Sequence, residues 1–142
     1  MDPNETQRLL QQAAQAATRA YCPYSGYAVG AALQAAGGEV MTGCNVENAS
    51  YGLTICAERS ALAAAVAGGL RRFKALAVVA SGPDTPYPCG ACRQVLAEFC
   101  PPDLPVYVAC SRNPAVFEVI TVGELLPKSF AFAGPTGDEE TA

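Results

Sequence analysis

Three cysteines and one glutamate are spaced for metal chemistry: Cys56-Ala57-Glu58 and, further along, Pro88-Cys89-Gly90-Ala91-Cys92. A C-x-x-C pair at the start of a helix can bring two sulfurs to one ion, and a third thiolate from elsewhere completes the set. Zinc takes such ligands tetrahedrally and, with three from the protein, keeps its fourth position for water. Glu58 lies two residues after the lone cysteine, close enough to be near the metal without ligating it. That is where a proton carrier for the water has to be. The chain has no histidine, which removes Ser-His, Cys-His and His-ligated mechanisms together.

Other readings use the same residues. A closed structural zinc knuckle could take one of Cys22, Cys44, Cys100 or Cys110 as fourth ligand. A chain of this length does not need a metal to fold, however, and a closed site leaves Glu58 without a role. Cys89-Gly90-Ala91-Cys92 could be a redox pair, but it lies in the second half of the chain and there is no tryptophan anywhere. The other four cysteines read as small buried hydrophobes. Three thiolates on Zn²⁺ leave one net negative charge, which a guanidinium donating to the sulfurs offsets; Arg59 is the candidate, and Arg93 could share the role. Asn45-Val46-Glu47-Asn48 would elsewhere be a plain polar loop. Here alternation points Asn45 and Glu47 to one side, between a strand end and the zinc stretch, which suits a sugar's hydroxyls. Tyr27 and Phe130 could each be core aromatics.

Periodicity and breakers predict the elements that position these groups. Glu5 to Tyr21 reads as an Ala- and Gln-rich helix capped by Asn4 and ended by Pro23. Tyr27 to Gln34 and Val40 to Asn45 read as strands joined at Ala36-Gly37-Gly38. Ala57 to about Gly69 is a helix, Phe73 to Ser81 a buried strand, and Cys89 to Cys100 a helix stopped by Pro101-Pro102. The first of these helices spans roughly 20 Å and the strand roughly 25 Å. The chain therefore runs out and back, and both cysteine-bearing helix N-termini face one point. Their dipoles and free N–H groups favour thiolates there. Pro105 to Cys110 and Val116 to Thr121 complete the strands, with one helical turn over Val122 to Leu126. A hairpin followed by alternating elements predicts a three-layer α/β/α sandwich with a mixed five-stranded sheet, as one domain over 1–142. Residues 133–142 read as a frayed acidic tail.

The totals agree with this picture. The 142 residues are 51% hydrophobic and 15% charged, a globular composition. The net charge of −4 and the scatter of the 9 basic residues argue against a nucleic-acid-binding face. No long apolar run could span a membrane, and no export segment is visible. Seven cysteines in a chain with a cytoplasmic character point to metal chemistry rather than a disulfide framework.

Five ordered motifs carry a resemblance that covers Tyr21 to Phe130. They are Pro23-Tyr24-Ser25-x-Tyr27-x-Val29-Gly30-Ala31, Gly43-Cys44-Asn45-Val46-Glu47-Asn48-Ala49, Cys56-Ala57-Glu58-Arg59, Pro88-Cys89-Gly90-Ala91-Cys92-Arg93-Gln94-Val95 and Leu125-Leu126-Pro127. Together they resemble the small homotetrameric cytidine deaminases of pyrimidine salvage. The resemblance implies one Zn²⁺ per chain on Cys56, Cys89 and Cys92, with Glu58 shuttling protons. It implies that Asn45 and Glu47 hold the ribose, that Ala57 offers its backbone to the pyrimidine, and that Tyr27 stands where the family usually has a stacking Phe. Phe130 resembles an aromatic lent to a neighbouring subunit's site. Lys128-Ser129 departs from a small Gly-Ala pair expected before it. The substrates implied are cytidine and deoxycytidine, the alternative being another cytosine-bearing compound such as blasticidin S.

Overall fold

Helix α1 starts earlier than its sequence suggests, because the acid that caps it is Asp2. In the computed structural model, which describes residues 1–131, α1 runs Pro3–Ala17. The Asp2 side chain accepts from Glu5 N while Glu5 reaches back to Asp2 N, a reciprocal capping box with Pro3 in the first turn. Asn4, the expected cap, lies inside the helix. The helix also ends before Tyr21. That residue instead donates its N–H to Asn45 O (3.0 Å) and accepts at its carbonyl from Glu47 N (2.8 Å). A backbone bridge to a distant strand thus competes successfully with continuation of the helix.

The strands are β1 (Val29–Ala35), β2 (Val40–Cys44), β3 (Phe73–Ala80), β4 (Pro105–Cys110) and β5 (Phe117–Thr121), in sheet order β2-β1-β3-β4-β5. Only the β3–β4 pair is parallel, so the sheet is mixed as expected. Helices α2 (Ala57–Ala67), α3 (Gly90–Phe99) and the single turn α4 (Val122–Leu125) complete the elements among the described residues, with a 3₁₀ turn at Tyr51–Leu53. Helix α1 covers one face of the sheet, burying Leu9, Leu10 and Ala13 against Ala32, Ala75, Ala77 and Val79. Helices α2, α3 and α4 share the other face with Leu33, Leu76, Val78, Val106 and Val108. Each fully buried Leu or Val contributes about 1.5–3 kcal/mol. The result is the three-layer sandwich.

Two glycines set how closely the helical layers approach. A Cβ at Gly30 on β1 would stand 2.0 Å from Ala13 O of α1, and one at Gly43 on β2 would stand 2.4 Å from Ala61 N of α2. Neither strand could carry a side chain there without pushing a helix away. The proposed 133–142 tail lies outside the described residues.

Candidate metal centre and substrate pocket

Cys56 and Cys89 are N-cap residues, the last extended positions before α2 and α3. Cys92 follows in the first turn of α3, and Glu58 is the second residue of α2. Strand β3 carries the chain back along the sheet between the two helices, so their N-termini meet. The sulfurs of Cys56, Cys89 and Cys92 all lie within 4.8 Å of one another, and Cys56 Sγ is 3.7 Å from Cys89 Sγ. Cys92 is buried, Cys56 half-buried and Cys89 exposed, so the cluster opens on the Cys89 side. Among the described residues no further cysteine or carboxylate joins this cluster. Three thiol donors with no fourth protein ligand fit zinc in an open tetrahedral site rather than a closed structural one. Of the other cysteines, Cys100 alone is buried; Cys22, Cys44 and Cys110 are half-exposed, contrary to expectation.

Electrostatics suit the donor set. The Cys56 thiol is pulled down to about 5, first because Cys92 donates to it and then because Arg59 does. Cys92, the donor in that pair and itself buried, is pushed up. Arg59 Nη2 lies 3.5 Å from Cys56 Sγ and 3.4 Å from Thr54 O. Arg93 is committed elsewhere: its Nε donates to Pro88 O (2.7 Å) and its Nη1 to Leu125 O (2.9 Å). The guanidinium at the sulfurs is therefore that of Arg59. Glu58 is 5% exposed, and burial first, then the Cys56 charge, raises its carboxyl to about 7.

A pocket of about 200 Å³ runs from this cluster over the end of the sheet, lined in part by Tyr27, Asn45, Cys56, Ala57, Glu58 and Cys89. Asn45 is 7% exposed: its Oδ1 accepts from Val29 N (2.9 Å) and its Nδ2 donates to Tyr27 O (2.8 Å). One lone pair and one N–H remain available to a ligand. Tyr27 packs over Gly82, where a Cβ would come within 2.6 Å of its ring, and partial burial raises its phenol. Glu47 does not line this pocket. It faces an adjoining hollow with Tyr24, Ser25 and Tyr51, and Thr54 lines both. Its carboxylate accepts from Tyr24 N (3.0 Å), Ser25 N (3.2 Å) and the Ser25 hydroxyl, which holds it below its ordinary range. Phe130 is 75% exposed and lines neither pocket. Lys128, two residues before it, adopts φ 54°, the left-handed region that favours glycine.

Sequence reasoning missed Thr54, Pro86 and Tyr87, which line the pocket with Val29 and Val78. Proximity to Cys56 and Cys89 in the chain was the available signal. A larger hollow, about 510 Å³, lies on the α1 side of the sheet among Gln11, Gln12, Gln15 and Gln34, away from the thiols.

Comparison with known proteins agrees with this geometry. The family model for the cytidine and deoxycytidylate deaminase zinc-binding region matches residues 3–108. A cytidine deaminase from Halalkalibacterium halodurans is 51% identical over 126 residues, covering 89% of this chain and 94% of that protein. One from Sporosarcina psychrophila is 47% identical over 127 residues, covering 89% and 92%. The crystal structure of cytidine deaminase from Burkholderia pseudomallei matches with a TM-score of 0.82 at 47% identity, covering 87% of this chain and 97% of that one. A blasticidin-S deaminase from Bacillus cereus is more distant, at 27% identity over 114 residues.

Proposed function

The chain belongs to the cytidine and deoxycytidylate deaminase family, and from that premise we propose that it hydrolyses cytidine and deoxycytidine to uridine and deoxyuridine, releasing ammonia. The observation that carries this reading is the buried Glu58 carboxyl beside three converging thiols, two of which, Cys56 and Cys89, line the same pocket of about 200 Å³. Cys56, Cys89 and Cys92 would hold one zinc ion, which when bound would supply the Lewis acidity that makes water a nucleophile near neutral pH.

The remaining work falls to side chains of this chain. Glu58, with a carboxyl near 7, can both take and return a proton in the neutral range. It passes the first proton of the attacking water to N3 as the C4–O bond forms. It then passes the second, from the new C4 hydroxyl, to the exocyclic amine, so that the C4–N bond breaks and ammonia leaves as the C4 carbonyl forms. Arg59 offsets the thiolate charge through Cys56. Ala57, fully buried in the first turn of α2, presents backbone to the pyrimidine, and Tyr27 covers the base. Asn45 receives the ribose with its unused donor and acceptor. The sugar then extends past Thr54 towards Glu47, whose carboxylate the Tyr24–Ser25 turn already holds ionised. A second carboxylate there repels phosphate, so free nucleosides are favoured over the monophosphate. The 27% identity to blasticidin-S deaminase gives the alternative substrate little support.

The exposure of Phe130, together with Tyr51, Leu53 and Ile55 around the pocket side, supports a homotetramer in which neighbours complete each other's sites. Free pyrimidine nucleosides as substrates support a role in pyrimidine salvage, which we assign to the cytoplasm. Among the described residues no helix is long and apolar enough to cross a membrane. Loss of cytidine absorbance on adding purified protein, abolished by a chelator and restored by zinc, tests the function. Absence of turnover in zinc-replete protein overturns it.

A further inference from the structure

One wall of the pocket stands on a segment that its own backbone does little to hold. Residues 82–88, the sequence GPDTPYP, join β3 to α3. Pro83, Pro86 and Pro88 have no N–H to donate, and within the segment Tyr87 N donates to Thr85 O (3.0 Å). Yet the segment carries Pro86 and Tyr87 into the pocket of Glu58 and backs the Tyr27 ring at Gly82.

Side chains from the far strands anchor it. Cys110 Sγ at the end of β4 donates to Pro83 O (3.4 Å). The carboxylate of Glu118, on edge strand β5, accepts from Thr85 Oγ1 (3.3 Å) and from the Tyr87 hydroxyl. Glu118 is in register with Val108, and Val108 with Val78, a residue of the pocket itself. Glu118 thus shares the sheet face on which the pocket lies. A charged acceptor bridging two hydroxyls is a stronger tie than a neutral pair. The metal end of the segment is held separately, since Arg93 binds Pro88 O.

We propose that Glu118 is a positioning residue for the nucleoside pocket: through Tyr87 and Thr85 it fixes the wall against which substrate is held, without touching a reacting atom. The inference rests on the deaminase function proposed above. The test compares wild type with Glu118→Ala, Glu118→Gln, Tyr87→Phe and the Tyr87→Phe/Glu118→Ala double variant, all zinc-loaded. Two readouts are cytidine kinetics and amide hydrogen exchange at Asp84, Thr85 and Tyr87. Glu118→Ala raises KM on the order of tenfold, with kcat within about twofold and zinc content unchanged. Glu118→Gln, which keeps one neutral acceptor for the phenol but loses the charge, falls between wild type and Glu118→Ala in KM. Tyr87→Phe raises KM alone but adds little to Glu118→Ala. Exchange quickens in Glu118→Ala and recovers in part in Glu118→Gln. Overturning results are an unchanged KM, a fall in kcat with zinc loss, or multiplying effects in the double variant. Unchanged exchange removes the anchor whether or not the wild type deaminates cytidine, so failure of the function is distinguishable from failure of this inference.

Discussion

Gly43→Ala tests whether the metal site depends on how closely α2 seats on β2. The added Cβ would stand 2.4 Å from Ala61 N, 2.7 Å from Ala57 O and 2.8 Å from Ser60 Cβ. Ordinary contact begins near 3.4 Å, so α2 must withdraw by about 1 Å. Two of the three obstructing atoms are helix backbone and cannot rotate aside. Overpacking of this kind costs about 1–3 kcal/mol. Reduced freedom of the unfolded chain offsets about 0.4–1 kcal/mol of that. A net loss of about 1–2 kcal/mol should lower Tm by several degrees. The functional loss should be larger. Cys56 and Glu58 ride on α2, whereas Cys89 and Cys92 ride on α3, so withdrawal separates one ligand and the proton carrier from the other two ligands. A misplacement of about 1 Å costs on the order of 10²-fold in kcat/KM. Urea melts, zinc analysis and cytidine kinetics measure these effects. Gly52→Ala is the control, because a Cβ there meets nothing within 4 Å. Wild-type activity and zinc content in Gly43→Ala would refute the argument that this contact seats the site.

Glu58→Gln keeps the shape and loses the titrating proton, so activity should drop by several orders of magnitude with zinc retained; activity within about tenfold of wild type assigns the proton to another group. The acid limb of KM should report Glu47. Its carboxyl is held low, chiefly by the Ser25 hydroxyl, so its charge is present above that depressed pKa and is lost as pH falls through it. Ser25→Ala should therefore bring the acidic rise in KM for cytidine to a higher pH, and coincident acid limbs in the two proteins would contradict the role of Ser25. Co-expression of Glu58→Gln and Phe130→Asp chains, each nearly inactive alone, should restore part of the activity, because some pockets then combine both intact residues. No recovery in verified mixed oligomers places Phe130 in its own chain's site.

The metal centre was legible in the sequence because its information is local. C-x-E and P-C-x-x-C each lie within one helical turn, where spacing dictates geometry, and the intervening helix and strand have lengths that bring the two turns together. The layer order followed from the same periodicities. Asp2 rather than Asn4 as the cap of α1 was a choice between the two polar residues flanking Pro3, which the reciprocal bond with Glu5 decides. Tertiary structure alone settled what depends on pairs distant in the chain. Arg59 and Arg93 are equivalent as sequence, but Arg93 is drawn off by carbonyls of Pro88 and Leu125, leaving Arg59 for the sulfur. Asn45 and Glu47 share a strand-like alternation, yet the bridges between Tyr21, Val46 and Ile55 turn the chain, and Glu47 is captured by the Tyr24–Ser25 turn in a neighbouring hollow. Glu118 carries no motif at all. Its link to Tyr87 exists only because β5 pairs with β4 in a register that lifts that one carboxylate to the face beside the pocket.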